Sequence, residues 1–265
     1  ELDTGFIVLE DFGDAVFKTA KERGVRQAEL WGKAVDVLLA LSEAPPEQAL
    51  PVPGSSAYAL PLFDAEAMLI EASLIVEWLW PAVHGRALPT EVRAEFESLW
   101  RPHLAAAAQA DPGWVLSDYQ SPNLMYLPDR AGVRNVGLLD FQDALRGPLA
   151  YDLVSLLQDA RLDVPEALER AELDRYCIAR TARGETFKSD DFRTLYATLG
   201  AQRNSKILGI FARLAKRDGK RAYLAHMPRV ARYLERDLAH PALADLRDFY
   251  ARAFPAAEDL PPKSL

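Results

Sequence analysis

Residues 113–127 read Gly113-Trp114-Val115-Leu116-Ser117-Asp118-Tyr119-Gln120-Ser121-Pro122-Asn123-Leu124-Met125-Tyr126-Leu127, and residues 136–143 read Val136-Gly137-Leu138-Leu139-Asp140-Phe141-Gln142-Asp143. Two short apolar runs, residues 124–127 and 133–139, flank Pro128-Asp129-Arg130-Ala131-Gly132. Apolar runs of that length around a Pro, Asp and Gly cluster predict a β-hairpin. The polar residues sit at its open end. Asp118 and Asn123 precede the first strand, and Asp140 follows the second. A hairpin returns the chain to where it started, so the three side chains are expected close together.

Phosphoryl transfer from ATP needs such a cluster. The protein has to orient a hydroxyl nucleophile and hold magnesium against phosphate oxygens. A carboxylate beside the hydroxyl accepts its proton, the role expected of Asp118. A carboxylate and an amide oxygen are hard ligands suited to magnesium, the role expected of Asp140 and Asn123. Taken alone, an Asp five positions before an Asn is common in loops without a function. The weight comes from its combination with the hairpin and with Ala150-Tyr151-Asp152-Leu153 opening a helix behind it.

These segments resemble the catalytic segment of the aminoglycoside phosphotransferase and choline kinase-like family, which has a protein-kinase-like fold. That family's loop reads His-Gly-Asp-x-His-x-x-Asn, followed by Asp-[Phe/Trp]-x-x-Ala and Gly-x-x-x-Tyr-Asp-Leu. Here the three segments are Leu116-Ser117-Asp118-Tyr119-Gln120-Ser121-Pro122-Asn123, Asp140-Phe141-Gln142-Asp143-Ala144 and Gly147-Pro148-Leu149-Ala150-Tyr151-Asp152-Leu153. Asp118, Asn123 and Asp140 fall on the family's functional positions. Leu116 and Gln120 replace its two loop histidines. Asp152 resembles the family's buried Asp that braces the loop, a structural role.

Three stretches are similar to one branch, bacterial sugar kinases that phosphorylate the anomeric hydroxyl of N-acetylmuramate and N-acetylglucosamine in cell-wall recycling. They are residues 138–144, residues 155–161 and Gly209-Ile210-Phe211-Ala212-Arg213-Leu214. The fold class the resemblance implies is α+β, mainly α-helical: the C-terminal lobe of a protein-kinase-like fold with a catalytic β-hairpin. Residues 1–13 would be the last strand of a small lobe and the hinge, residues 14–258 the helical lobe, and residues 259–265 a loose tail.

Residues 5–11 read as a strand with no strand candidate near them until Trp114. A lone strand cannot satisfy its own backbone groups. By resemblance it is the strand entering the hinge, with Glu10, Asp11 and Phe12 meeting adenine. The other reading is an edge strand on the catalytic hairpin's sheet. The 14 glycines form neither Gly-x-Gly-x-x-Gly nor a phosphate-binding P-loop. The expectation is a chain that begins mid-domain and by itself binds ATP weakly.

Helices are expected over residues 26–42, 64–83 and 90–110, with Thr90 as a cap, and throughout the chain after Asp152. Trp78 and Trp80 are two apart and face different sides, which suits core packing better than a ligand platform. Residues 192–216 form a long amphipathic helix interrupted by polar Gln202-Arg203-Asn204. The family's C-terminal helices line the acceptor pocket, so Arg203 and Asn204 join Gln142 and Asp143 as acceptor-site candidates.

The net charge of −8 argues against nonspecific nucleic-acid binding. No apolar run is long enough to span a bilayer, so no membrane partner is expected. Cys177 is the sole cysteine, which excludes a disulfide framework and fits a reducing cytoplasm. Its setting reads as a helix interior. The four histidines lack metal-ligand spacing. The expected protein is a monomeric or weakly dimeric ATP- and Mg-dependent kinase of a small metabolite, an amino sugar first. A choline or aminoglycoside kinase and a non-catalytic pseudokinase are the alternatives.

Overall fold

The computed structural model describes residues 8–52, 54, 56–110, 112–184 and 187–265. In chain order the elements are α1 (Phe17–Glu22), α2 (Gln27–Leu41), β1 (Ala49–Leu50), β2 (Tyr58–Ala59) and α3 (Ala65–Leu74). A π-helical turn, Ile75–Leu79, joins α3 to α4 (Trp80–His84), and α5 (Thr90–Ala108) follows. Then come β3 (Pro112–Val115), β4 (Leu124–Tyr126), β5 (Val136–Leu138) and β6 (Leu145–Pro148). The rest is helical: α6 (Ala150–Leu157), α7 (Glu166–Ala182), α8 (Ser189–Asp218), α9 (Met227–Leu238) and α10 (Ala244–Ala253). This is the mainly helical α+β architecture that the sequence implies.

The hairpin forms where the sequence places it. β4 and β5 are antiparallel, with Leu124 opposite Leu138 and Tyr126 opposite Val136. A 3₁₀ turn, Gly132–Asn135, occupies the start of the second apolar run, so Val133 stays exposed and pairing begins at Val136. β3 pairs with β6 in the same antiparallel sense, from Pro112 opposite Pro148 to Val115 opposite Leu145. The loop from β3 to β4 and the loop from β5 to β6 therefore open at the same end.

The strand expected over residues 5–11 is not found in its described part. Residues 5–7 lie outside the described residues, and residues 8–11 carry no strand. Asp11 Oδ1 accepts from Gly13 N–H at 2.8 Å, and Gly13 turns at φ 71°. Past that turn the chain reaches the hairpin. Ala15 carbonyl accepts from Tyr126 N–H at 2.7 Å, and Val16 bridges Met125. The edge of the hairpin sheet is thus taken by residues 15–16.

α8 is the central helix, packed by α3, α6 and α9. Its first turn carries Asp190 and Asp191, its last turn Lys216 and Arg217, and Gly219 caps it at φ 67°. These are the charges that the helix dipole favours at each end. Gly209 lets α8 lie directly on the end of α3. A Cβ there would sit 2.2 Å from the Leu74 carbonyl carbon.

Residues 65–84 are, by length and composition, apolar enough to cross a bilayer, although Glu66, Glu71 and Glu77 interrupt the apolar run. In the structure Met68, Ala72, Ile75 and Leu79 of this stretch are fully buried in the core. Trp80 is buried and Trp78 packs against the core, as their spacing suggests. Cys177 is buried within α7. Thr90 opens α5 but does not cap it; Pro89 holds the cap position without a side-chain bond. The C-terminal segment is not loose. Leu260 and Leu265 are buried, and the Ser264 hydroxyl donates to Ala82 carbonyl.

Candidate active site

The shared open end of the two strand pairs brings the sequence-predicted residues together. Leu139 N–H donates to Asn123 carbonyl at 2.9 Å, one step beyond the last hairpin pair. That bond seats Asp140 beside Asn123. Asn123 Nδ2 donates to Asp118 carbonyl at 3.0 Å, tying the third residue in. The Asp118 side chain is 52 % exposed. Asp140 is exposed, with Oδ1 accepting from Gln142 Nε2 at 2.6 Å. Asp143, on the same turn, is also exposed.

The loop backbone is unusual at two points. Ser117 has φ 68° and Asp140 has φ 58°, the non-glycine residues with positive φ among those described. Left-handed backbone at such residues costs on the order of 1–3 kcal/mol and persists where surrounding contacts enforce it. Both lie at the candidate site.

Three ionisable side chains hold the loop of residues 116–123 from below. Asp152 is buried and accepts Leu116 N–H at 2.6 Å and Ser117 N–H at 3.1 Å. Burial pushes its carboxyl up to about 7, opposed by the Leu116 bond, the Arg203 charge and the Ser117 bond. Asp159, fully buried, braces the far end. Its Oδ2 accepts Ser121 N–H at 2.8 Å, and its Oδ1 accepts Arg161 N–H at 2.6 Å. Arg203 of α8 donates from Nη1 to Ser117 carbonyl at 3.0 Å and to Tyr151 hydroxyl at 3.3 Å. Its Nη2 lies 3.8 Å from Asp118 Oδ1.

The two acceptor candidates on α8 separate. Arg203 is 3 % exposed and lies under the loop. Asn204 is fully buried and faces the interior. Its Nδ2 donates to Gln158 Oε1 at 2.6 Å and Asp237 Oδ2 at 3.1 Å. Gln158 Nε2 in turn donates to Asp237 and to Glu169, and Tyr196 hydroxyl also donates to Glu169. Burial raises the carboxyls of both Asp237 and Glu169. Asn204 is therefore part of an interior network, not of the cleft, which corrects its acceptor assignment.

Sequence reasoning missed Asp159 as a brace. It also missed Glu71 and Lys206. Lys206 Nζ lies 2.5 Å from Glu71 Oε1 and 3.4 Å from Tyr151 hydroxyl, and both side chains are partly exposed. Lys206 follows Arg203 by three positions, so helical spacing puts both on one face.

Near the hinge expectation, Phe12 covers Gly137 of β5. A Cβ at Gly137 would come within 2.8 Å of the ring. Arg130 at the hairpin's tip stacks on Phe12 at 5.2 Å and pairs with Glu10.

The phosphotransferase enzyme family matches residues 1–187. The chain belongs to that family. Over 252 residues it is 40 % identical to an N-acetylmuramate/N-acetylglucosamine kinase of Caulobacter vibrioides, covering 95 % of this chain and 68 % of the relative. A protein of the same name from Neisseria meningitidis is 36 % identical, with 95 % and 72 % covered. One from Pseudomonas aeruginosa is 34 % identical, with 97 % and 72 % covered. Among solved structures, a choline/ethanolamine kinase family protein from Mesorhizobium loti shares the fold at a TM-score of 0.51 and 15 % identity, over 86 % of this chain and 67 % of that one.

Proposed function

We propose that this phosphotransferase is an ATP- and magnesium-dependent kinase acting on a hydroxyl of an amino sugar. The observation that carries the reading is the meeting of Asp118, Asn123 and Asp140 at the open end of one hairpin. Identity of 34–40 % over nearly the whole chain to relatives named N-acetylmuramate/N-acetylglucosamine kinase supports the acceptor class.

The half-exposed Asp118 carboxylate is the group to orient the acceptor hydroxyl and take its proton. Asn123 and Asp140 offer an amide oxygen and a carboxylate, the hard donors that suit a magnesium ion shared with phosphates. Gln142, bonded to Asp140, holds that carboxylate's orientation. The ion, when bound, would neutralise charge on the phosphate oxygens. The backbone of Glu10, Asp11 and Phe12 is the proposed adenine edge, running beside the hairpin. Exposed Gln142 and Asp143 remain proposed acceptor contacts. Partly exposed Glu71 and Lys206, paired beside Tyr151, are further proposed acceptor contacts.

The test is a kinase screen of the full-length protein with Mg·ATP against N-acetylmuramate, N-acetylglucosamine, choline and kanamycin. Phosphorylation of the amino sugars is expected. Phosphorylation of choline or kanamycin alone would refute the acceptor class.

A further inference from the structure

We infer that Arg203 is a positioning residue for Asp118, supplying from α8 a support that the apolar Leu116 side chain cannot supply from within the loop. The inference rests on the phosphotransferase reading of Asp118, not on the identity of the acceptor.

The loop needs an outside support. Ser117 holds a left-handed backbone immediately before Asp118. The Leu116 side chain is apolar and packed into the core, so it gives the loop no polar side-chain support. Asp152 fixes the amide side of this strained step by accepting Leu116 and Ser117 N–H. The carbonyl side is fixed by Arg203, whose Nη1 donates to Ser117 carbonyl. The peptide that carries Asp118 is thus held at its carbonyl by Arg203, its N–H donates to Leu116 carbonyl at 2.8 Å, and Asp152 holds the two amides before it.

The charge arrangement fits the same role. Arg203 lies below two carboxylates, 3.8 Å from Asp118 and close enough to Asp152 to favour its ionised form. Burying a guanidinium this deeply costs several kcal/mol unless it is well paired. Yet Arg203 Nε has no protein partner.

Arg203 is itself held rigidly. Tyr151 accepts from Arg203 Nη1 and from Lys206 Nζ and donates to Glu71 Oε2 at 3.5 Å, and its ring lies 5.4 Å from the guanidinium. Phe63 packs edge-on against Tyr151 at 4.9 Å. A functional group acts with precision when its neighbours fix its rotamer. Since Nη1 is engaged and the residue is buried beneath the loop, Arg203 acts through Asp118 and does not touch the acceptor.

A double-mutant cycle in the full-length protein decides the point. Arg203→Met, Arg203→Lys, Asp118→Asn and the Arg203→Met/Asp118→Asn pair are assayed with Mg·ATP and whichever acceptor the wild type turns over. Misplacing a reacting group by about 1 Å costs on the order of 10²-fold. Arg203→Met is therefore expected to lower kcat by about 10²-fold with KM for both substrates within about threefold. Arg203→Lys should recover part of the loss. In the Asp118→Asn background the same change should cost less than about threefold, because residues that act as a unit are not additive. An equal loss in both backgrounds would overturn the inference, as would a loss confined to acceptor KM. If Asp118→Asn alone leaves kcat intact, the base assignment falls and the inference with it. Failure to phosphorylate N-acetylglucosamine counts against the amino-sugar reading alone. Should Arg203→Met not fold, Tyr151→Phe removes the hydroxyl that anchors Arg203. Its smaller kcat loss should likewise vanish in the Asp118→Asn background, and persistence there overturns the inference.

Discussion

Replacing Asp152 with Asn tests how the loop of residues 116–123 is held and what that support does to stability. In the folded chain Asp152 is buried and its carboxyl is pushed up to about 7, mainly by burial. In the unfolded chain it titrates near the ordinary Asp value of about 3.9. Between those values the folded state holds a proton that the unfolded state has lost. Folding is therefore favoured at the acidic end of the window, and this contribution is lost as pH rises through the folded value. One pKa unit corresponds to about 1.4 kcal/mol. From about pH 5 to about pH 8 the single group should then remove about 3 kcal/mol of stability. Asn does not titrate, so the variant lacks that slope. Its amide also turns one N–H toward the Leu116 or Ser117 N–H, leaving a donor unmatched at a cost of about 1–3 kcal/mol at every pH. Urea unfolding of both proteins at the two pH values reads the difference. Glu169 and Asp237, also raised by burial, contribute equally to both proteins and cancel. Equal pH slopes for wild type and variant would refute the argument, because Asp152 would then be ionised in the folded state as well.

Asp140→Asn should raise the magnesium concentration needed for half-maximal turnover by about tenfold or more, read from a metal titration; an unchanged requirement removes Asp140 from the metal. Asn204→Ala should cost about 1–3 kcal/mol in chemical denaturation, since Gln158 and Asp237 lose a partner, with acceptor KM unchanged. A raised KM would return Asn204 to the acceptor site. Gly209→Ala should lower the melting temperature despite alanine's better helix propensity. The new methyl would meet Leu74 backbone at 2.2 Å, and overpacking of that kind costs about 1–3 kcal/mol or more.

The parts of the site legible in the sequence were those fixed by local chemistry. The hairpin followed from two apolar runs around a turn cluster, and antiparallel pairing then dictated that Asn123 and Asp140 share an end. The π turn within residues 65–84 was not legible: it begins where α8 rests against Leu74 through Gly209, a contact from well over a hundred positions along. The C-terminal segment misled for a different reason. Its paired prolines read as a loose tail, while burial of Leu260 and Leu265 decides its placement.

The sharpest failure is also the most informative. Gln202, Arg203 and Asn204 form one polar interruption in an apolar helix, and such an interruption reads as surface facing a pocket. Successive helical residues point about 100° apart, so neighbours need not share an environment. Arg203 meets the loop, while Gln202 donates to Met68 carbonyl and Asn204 meets Asp237. Each partner comes from a different part of the chain, which no periodicity reveals. The same logic accounts for the missing loop histidines. Position 116 reads as a loss when the loop is considered by itself. In the folded chain the loop's backbone is held by its own Asn123 and also by Asp152, Asp159 and Arg203, on segments that follow it in sequence. A loop braced from outside can carry an apolar side chain at position 116, provided α6 and α8 stay rigid beneath it. That condition ties the packing of Gly209 on α3 to the placement of Asp118, since both depend on where α8 lies.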